Sequence, residues 1–164
     1  MTLIKDATSK DAKAIAALWT PYILNSDVTF NAAPKTPAMI TKMLAEKAAA
    51  NHPFRIATNN SGALLGFATY GQFRASNGYA RTMEHTVILD ETAKGSGVGR
   101  ALMSDIEAIA KAAGVHSMFA GVSAHNPDGI AFHQAIGYHE VARLKEVGYK
   151  RDQFYDLVLL QKFL

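Results

Sequence analysis

The ten residues Lys94 to Met103, KGSGVGRALM, constrain the fold more than any other stretch of the sequence. Three glycines at single-residue spacing leave backbone N–H groups uncovered by side chains, and the apolar run that follows is typical of a helix. If that helix begins at Gly97 or Val98, those N–H groups join the unpaired amides of its first turn and form an anion site. We therefore predict a phosphate-binding turn here. The alternative is a loose loop that leads into a surface helix.

Two familiar phosphate-binding patterns do not match this loop. A Walker loop closes with a Lys-Ser or Lys-Thr pair, which does not follow these glycines, and the dinucleotide pattern has its third glycine later. The glycines Gly95, Gly97 and Gly99 also lie beyond the middle of the chain, whereas a Rossmann domain carries its fingerprint in the first strand-to-helix turn. Both nucleotide-binding folds are therefore disfavoured.

The hydrophobic pattern predicts elements in the order β, α, α, β, β, β, α, β, α, β, β. Strands are predicted at 2–7, 54–58, 63–73, 81–89, 115–123, 138–147 and 154–160. Helices are predicted after the capping-box pair Thr8 and Asp11, after Thr36, from the glycine loop to near Gly114, and after Asn126. The predicted core-facing helix positions are Ile15, Leu18, Trp19, Tyr22 and Ile23, then Val98, Leu102, Ile106 and Ile109. This order indicates a mixed α/β (α+β) fold in one domain, residues 1–164, with early antiparallel strands and a βαβ crossing around the glycine loop.

Composition limits the classes of function. The chain is 49% hydrophobic and 19% charged, which is typical of a globular domain. Its net charge of +3 comes without a basic run interleaved with aromatics, so we expect no nucleic-acid partner. The absence of cysteine excludes disulfides, thiolate metal sites and a cysteine nucleophile. Neither a signal peptide nor an apolar stretch of membrane length is evident, so we expect no membrane partner and a cytoplasmic location.

Other catalytic patterns find no support. The histidines His85, His116, His125 and His139 lack the spacing of a metal-binding motif, so we expect no catalytic metal. No GxSxG motif is present, because the GVS at Gly121 lacks the trailing glycine.

KGSGVG followed by RALM resembles the pyrophosphate loop of the GNAT N-acetyltransferases. Lys94 takes the place of the usual Gln or Arg, and Gly97 and Gly99 match the final two positions. The stretches TMEHTVIL, SAHNPDGIAFHQAIGY and GYKRDQFYDLVLLQ resemble the phosphinothricin and methionine sulfoximine (sulfone) acetyltransferase branch, and the likeness covers essentially the whole chain. It implies the GNAT fold, a mixed central sheet of about seven strands with flanking helices and a splayed strand pair that binds acetyl-CoA.

The resemblance also implies the residues that bind acetyl-CoA, the expected cosubstrate. The pyrophosphate loop would comprise Lys94, Gly95, Ser96, Gly97, Val98, Gly99 and Arg100. The backbone of Thr86, Val87 and Ile88 would pair with pantetheine as an added strand does. Asn126 would cap the following helix and meet the CoA arm.

Two residues match reactive positions of the family. Acetyl transfer needs a neutral amine, and Glu84, in TMEHTV, is expected to remove a proton from the ammonium. The alternative is a glutamate on a solvated sheet face. His133 stands where many GNAT proteins place a tyrosine that protonates the CoA thiolate, and a histidine could donate that proton. Its alternative role is to fill a helix face.

The amine substrate is expected to be a small amino acid or analogue, such as methionine sulfone, methionine sulfoximine or phosphinothricin. Arg74 resembles the arginine that pairs with the substrate carboxylate, and Phe30 and Tyr79 would wall the pocket. For all three a purely structural role stays open. Some phosphinothricin enzymes carry further basic residues where this chain has Ser76 and Asn77, so methionine sulfone or sulfoximine is at least as good a substrate.

Two other functions stay open at this point: acetylation of another amine (a polyamine, an antibiotic or a protein N-terminus), and a silent module that binds acyl-CoA. An acidic pocket would favour the first, whereas Arg74 argues against it. We expect a homodimer, as is common in this branch, with the apolar C-terminal DLVLLQKFL contributing to the interface or to the core.

Overall fold

The computed structural model describes residues 2–164 and confirms the predicted order of elements. The strands are β1 (Leu3–Asp6), β2 (Phe54–Thr58), β3 (Leu64–Gln72), β4 (Thr82–Leu89), β5 (Ser117–Ser123), β6 (His139–Lys150) and β7 (Gln153–Phe163). The helices are α1 (Ala12–Asn25), α2 (Pro37–Ala49), α3 (Val98–Ala112) and α4 (Pro127–Ala135).

The seven strands form one sheet in the order β1-β2-β3-β4-β5-β7-β6. Every neighbouring pair is antiparallel except β4 and β5, which are parallel. A parallel pair needs a crossover, and helix α3 supplies it between β4 and β5. The mixed sheet and the βαβ crossing around the glycine loop therefore match the sequence prediction.

The β6–β7 hairpin is longer than the sequence indicated. Lys150 pairs with Gln153 across a two-residue turn, and the turn residues Arg151 and Asp152 both have positive φ, 51° and 57°. These angles are those of a type I′ turn, whose twist matches that of antiparallel strands. β6 therefore continues to Lys150 instead of ending at residue 147 as predicted.

Helices cover both faces of the sheet. Helices α1 and α2 pack on one face through Ile15, Trp19, Ile23 and Ile40. On the other face, α3 contributes Val98, Leu102 and Ile106 to a second core. Ile109 does not complete the stripe of α3 as expected, because it is only partly buried, and the buried Ala110 faces the core in its place.

The parallel pairing of β4 and β5 is short. Their ladder covers three pairs, Thr82 with Ser117, Met83 with Met118 and Glu84 with Phe119. Beyond Glu84, β4 continues beside β3, while β5 continues beside β7. The two central strands therefore separate at Glu84, as a splayed pair does, and open a gap through the middle of the sheet.

The apolar C-terminal segment divides between core and surface. Val158 and Leu160, in the middle of β7, are fully buried, whereas Phe163 is 65% exposed. Val158 and Leu160 therefore supply core packing from this segment. No helix within residues 2–164 combines the length and hydrophobicity needed to cross a bilayer.

Candidate active site

The gap between β4 and β5 is a cavity of about 330 Å³. Side chains from both faces of β4 line it, because the separation of the strands opens the sheet. Helix α1, the loop after it, and the region from β5 to α4 complete the wall. The lining residues are Trp19, Val28, Thr29, Phe30, Glu84, His85, Thr86, Val87, Ile88, Ala120, Gly121, Val122, Ser123, Asn126, His133 and Leu157. The structure thus places seven of the candidate site residues on one cavity: Phe30, Glu84, Thr86, Val87, Ile88, Asn126 and His133.

Glu84 lies where the two strands part. Its neighbour across the gap is Gly121, and a Cβ atom at that position would lie 2.7 Å from Glu84 Oε1. The glycine therefore leaves the space that the carboxylate occupies. The Glu84 side chain remains exposed to solvent through the gap, yet the surrounding cavity walls desolvate its carboxylate and raise its pKa, while the charge of Arg74 acts in the opposite direction. A carboxylate with a raised pKa is a better proton acceptor than an ordinary surface glutamate.

A pair of buried histidines lies on the opposite face of β4. The rings of His85 and His133 stack with centroids 5.0 Å apart, and the side chains are 7% and 6% exposed. Nδ1 of His133 lies 2.6 Å from the carbonyl oxygen of Gly129. Because a carbonyl only accepts, the neutral His133 ring carries its hydrogen on Nδ1 and leaves a lone pair on Nε2.

Burial keeps both rings neutral near pH 7. It lowers the pKa of His85 far below the ordinary histidine value, with the nearby His133 acting in the same direction. It also lowers the pKa of His133, although the hydrogen bond to Gly129 and the charge of Glu107 oppose that shift. Both nitrogens of His85 and Nε2 of His133 have no hydrogen-bond partner among residues 2–164.

Asn126 performs the capping role expected of it. Its Oδ1 accepts a hydrogen bond of 2.9 Å from the backbone N–H of Gly129, at the first turn of α4. Pro127 follows at the first helical position, where a missing N–H costs nothing. The cap places Asn126 and His133, at opposite ends of α4, on the wall of one cavity.

The glycine loop has the conformation that its sequence indicated. Gly95 and Gly97 have φ of 73° and 87°, values that residues with a side chain rarely adopt. Gly97 caps α3, so the amides of the first turn of the helix point toward the loop. Backbone N–H groups in this arrangement are of the kind that bind anions. Lys94, at its start, pairs with Glu91 at 2.7 Å and lies over the ring of Tyr22.

Arg74 and Tyr79 lie outside the cavity lining. Both are exposed, and the Arg74 guanidinium lies 5.3 Å from the centre of the Phe73 ring. Phe73 in turn stacks on Phe119, with ring centroids 4.6 Å apart. Since Phe119 pairs with Glu84 in the ladder, this aromatic group lies beside the base of the gap. The positive charge of Arg74 is therefore close enough to lower the pKa of Glu84, against the larger effect of desolvation.

Several lining residues escaped sequence analysis. The sequence predicts Trp19 only as a core-facing helix residue, and Thr29 lies in no motif. Gly121 matters because it lies across the gap from the Glu84 carboxylate. His85 stands inside TMEHTVIL as an ordinary strand residue, and only its burial against His133 sets it apart. Within residues 2–164, no group of three or more His, Asp or Glu side chains is arranged to hold a metal ion.

Comparisons with known proteins agree with this geometry. The sequence model of one protein family, the acetyltransferase (GNAT) domain, matches residues 4–159 of this chain. An L-methionine sulfoximine/L-methionine sulfone acetyltransferase of Pseudomonas aeruginosa is 28% identical over 96% of this chain and 92% of its own length.

Two solved structures extend the comparison. The phosphinothricin acetyltransferase of Sinorhizobium meliloti, in complex with acetyl-CoA, is 26% identical with a TM-score of 0.93, covering 99% of this chain and 88% of that one. A ribosomal-protein-alanine N-acetyltransferase of Brucella melitensis is 31% identical with a TM-score of 0.94, covering 99% of both chains. The resemblance noted in the sequence is thus confirmed: the chain belongs to the GNAT family and is an acetyl-CoA-dependent N-acetyltransferase, close to the methionine sulfoximine and phosphinothricin enzymes.

Proposed function

We propose that this enzyme acetylates the α-amino group of a small amino acid or analogue, such as methionine sulfone, methionine sulfoximine or phosphinothricin, with Glu84 as the general base. The observation that carries the proposal is the position of the Glu84 carboxylate. It lies in the cavity at the point where β4 and β5 separate, with its pKa raised by burial.

Acetyl-CoA supplies the acetyl group as an activated thioester. The left-handed Gly95 and Gly97 and the first-turn amides of α3 are suited to its pyrophosphate. The binding turn would be completed by the other residues of this loop, Lys94, Ser96, Val98, Gly99 and Arg100. Past Glu84, the edge of β4 that faces β5 leaves the ladder. The backbone of Thr86, Val87 and Ile88 is therefore available to pair with an extended chain such as pantetheine.

Transfer requires the loss of two protons from the substrate nitrogen. Glu84 accepts the first from the ammonium, which frees the lone pair that forms the C–N bond. As the C–S bond breaks, the thiolate leaves with the bonding electrons. Of the two protons, one ends on the thiol and the other reaches solvent, with Glu84 regenerated as the carboxylate.

The acceptor site would combine the negative charge of Glu84, inside the cavity, with the positive charge of Arg74, just outside its lining. An α-amino acid carries its ammonium and its carboxylate on one carbon, and Glu84 and Arg74 are a base and a cation that act on each other. We assign Arg74 to the carboxylate, since its planar guanidinium binds carboxylates in a bidentate manner. Phe30 lines the cavity, whereas Tyr79 lies outside the lining and packs against Phe73, with ring centroids 6.3 Å apart.

His133 is proposed as the proton donor to the thiolate, but only in its charged form. The neutral ring holds its hydrogen toward Gly129, so donation from Nε2 requires the imidazolium. Because the pKa of His133 is lowered by burial, that form is scarce at neutral pH. We therefore expect a minor contribution of His133 at pH 8 and a larger one in mildly acidic solution.

We also propose a homodimer. Exposed apolar side chains cluster on the β6–β7 hairpin, where Val147, Tyr149 and Phe154 are 56%, 56% and 59% exposed. A surface of this kind is typical of an interaction site. Light scattering should return twice the chain mass of 17.7 kDa, and a mass of one chain at assay concentration would contradict the dimer.

The substrate proposal is tested by following thiol release from acetyl-CoA with a chromogenic disulfide. The chain has no cysteine, so the protein itself gives no signal. The panel comprises methionine sulfone, methionine sulfoximine, phosphinothricin, a polyamine and a short peptide with N-terminal alanine. We expect turnover with the amino-acid analogues. Turnover confined to the polyamine or the peptide would overturn the proposal.

A further inference from the structure

The loop between α1 and α2 forms one wall of the cavity. Its residues Val28, Thr29 and Phe30 line the cavity and belong to no helix or strand. Local hydrogen bonds shape the loop: the Ser26 hydroxyl donates to Tyr22 O and accepts from Val28 N. These bonds lie within a few residues of each other, so they do not fix the position of the loop against the sheet.

Lys150, the last residue of β6, makes that connection. The side chain is only 4% exposed, although lysine is almost never fully buried without partners. Its Nζ donates to the carbonyl oxygens of Ser26 at 2.7 Å and of Thr29 at 2.8 Å. One ammonium group thus binds two carbonyls of the loop, at a sequence separation of more than 120 residues.

The hairpin around Lys150 is shaped to receive the same loop. Gly148 lies two positions earlier, on the same face of β6, and a Cβ atom there would lie 2.6 Å from the ring of Phe30. Phe30 therefore rests directly on the glycine backbone. Arg151, in the turn, and Tyr155, on β7, both donate hydrogen bonds to Asp27, at 2.7 and 3.2 Å.

The long-range hydrogen bonds of residues 26–30 all go to this hairpin within the part of the chain that the structure describes. Lys150 is buried and donates to backbone carbonyls of the loop, whereas Arg151 and Tyr155 bond to the side chain of Asp27. The loop wall should therefore shift when its two bonds are removed, whereas the cofactor loop, residues 94–100, takes no part in these contacts.

We propose that Lys150 is a positioning residue that sets acceptor specificity: it holds the loop so that Phe30 rests on Gly148 and fixes the width of the acceptor end of the cavity. The inference rests on the proposed function, which assigns Phe30 to the acceptor pocket. Lys150 acts through the loop and touches neither substrate.

The test compares Lys150→Met with Lys145→Met, a change of the same kind at an exposed lysine on the same strand. Methionine keeps most of the aliphatic stem and removes the donors. We expect Lys150→Met to raise the KM of the preferred acceptor roughly tenfold and to leave the KM of acetyl-CoA unchanged. The differences in kcat/KM between the amino-acid analogues should become smaller. Lys150→Arg, which keeps donors and charge, should recover part of the loss, and Lys145→Met should match the native enzyme.

A second measurement does not depend on turnover. Trp19 is the only tryptophan and lines the same cavity as Phe30, so its quenching by acrylamide reports on the wall. We expect stronger quenching in Lys150→Met than in the native protein and in Lys145→Met. Gly148→Ala, which pushes the Phe30 ring, should also raise acceptor KM and quenching, and it serves as the test if Lys150→Met does not fold.

The outcomes separate the two proposals. If the native enzyme acetylates no amino acid of the panel, the proposed function fails, and the quenching still decides whether Lys150 holds the wall. If the native enzyme is active and folded Lys150→Met or Gly148→Ala shows native acceptor KM and native quenching, the inference on Lys150 is wrong.

Discussion

The carboxylate of Glu84 fills the space that a side chain at Gly121 would take, since a Cβ atom on Gly121 would lie 2.7 Å from Glu84 Oε1. The two residues belong to the two strands that separate at this point. The base and the strand that leaves room for it are thus parts of one arrangement.

Gly121→Ala should therefore act through Glu84. We expect a fall in kcat of about tenfold or more, because the carboxylate must move from its position in the cavity. In a Glu84→Gln background the same change should add little, since residues in contact are not additive. A double-mutant cycle on kcat measures this coupling. Full additivity of the two changes would show that Gly121 acts elsewhere.

The charge of Arg74 should be visible in the pH dependence of the reaction. Arg74 lowers the pKa of Glu84 against the larger effect of burial. Arg74→Met removes that charge, so the pKa of Glu84 rises and the acid limb of kcat/KM moves to higher pH. The profile is measured with one acceptor throughout. Arg143→Met, at an exposed arginine paired with Glu140, is the control. An acid limb that stays in place or moves to lower pH would contradict the assignment.

His133 should matter more as the pH falls. Its pKa is lowered by burial, so the imidazolium that could donate from Nε2 gains population only below the ordinary histidine range. We expect His133→Phe to reduce kcat less than tenfold at pH 8 and more strongly at pH 6, relative to the native enzyme at each pH. A large loss at pH 8 that does not grow at pH 6 would refute a charged donor.

The neutral His85 ring should make the protein sensitive to acid. Its pKa is about 6.5 when unfolded and far lower when folded. Below pH 6.5 the unfolded state therefore binds more protons, and the free energy of unfolding decreases as the pH falls, by at most about 1.4 kcal/mol per pH unit for this group.

His85→Leu should flatten this dependence between pH 7.5 and pH 5.5 in urea unfolding, with His116→Gln, at an exposed position, as the control. Equal pH dependence in His85→Leu and the native protein would show that His85 is not the group responsible.

Much of the fold could be predicted because its signals are local. Thr36 and Asn126 are followed by proline, and these pairs mark the starts of α2 and α4. The left-handed turn at Gly95 and Gly97 follows from glycine alone. Glu84 was found by its place in a motif that resembles a family, and the structure places it in the cavity.

The remaining features depend on contacts between distant parts of the chain. The room for Glu84 beside Gly121 follows from the register of β4 against β5. The hydrogen bond from Lys150 to the carbonyl oxygen of Ser26 joins residues that are 124 positions apart in the sequence. A lysine near the end of a strand predicts a solvated side chain, and nothing in its neighbours in sequence indicates otherwise.

The most direct test of this account is the turnover of Glu84→Gln with the best acceptor of the panel, together with its affinity for acetyl-CoA by calorimetry. Glutamine keeps the shape of the side chain and cannot take the proton. We predict a loss in kcat of about a hundredfold or more at unchanged acetyl-CoA affinity. A variant that binds acetyl-CoA and retains near-native kcat would contradict the role of Glu84 as the base.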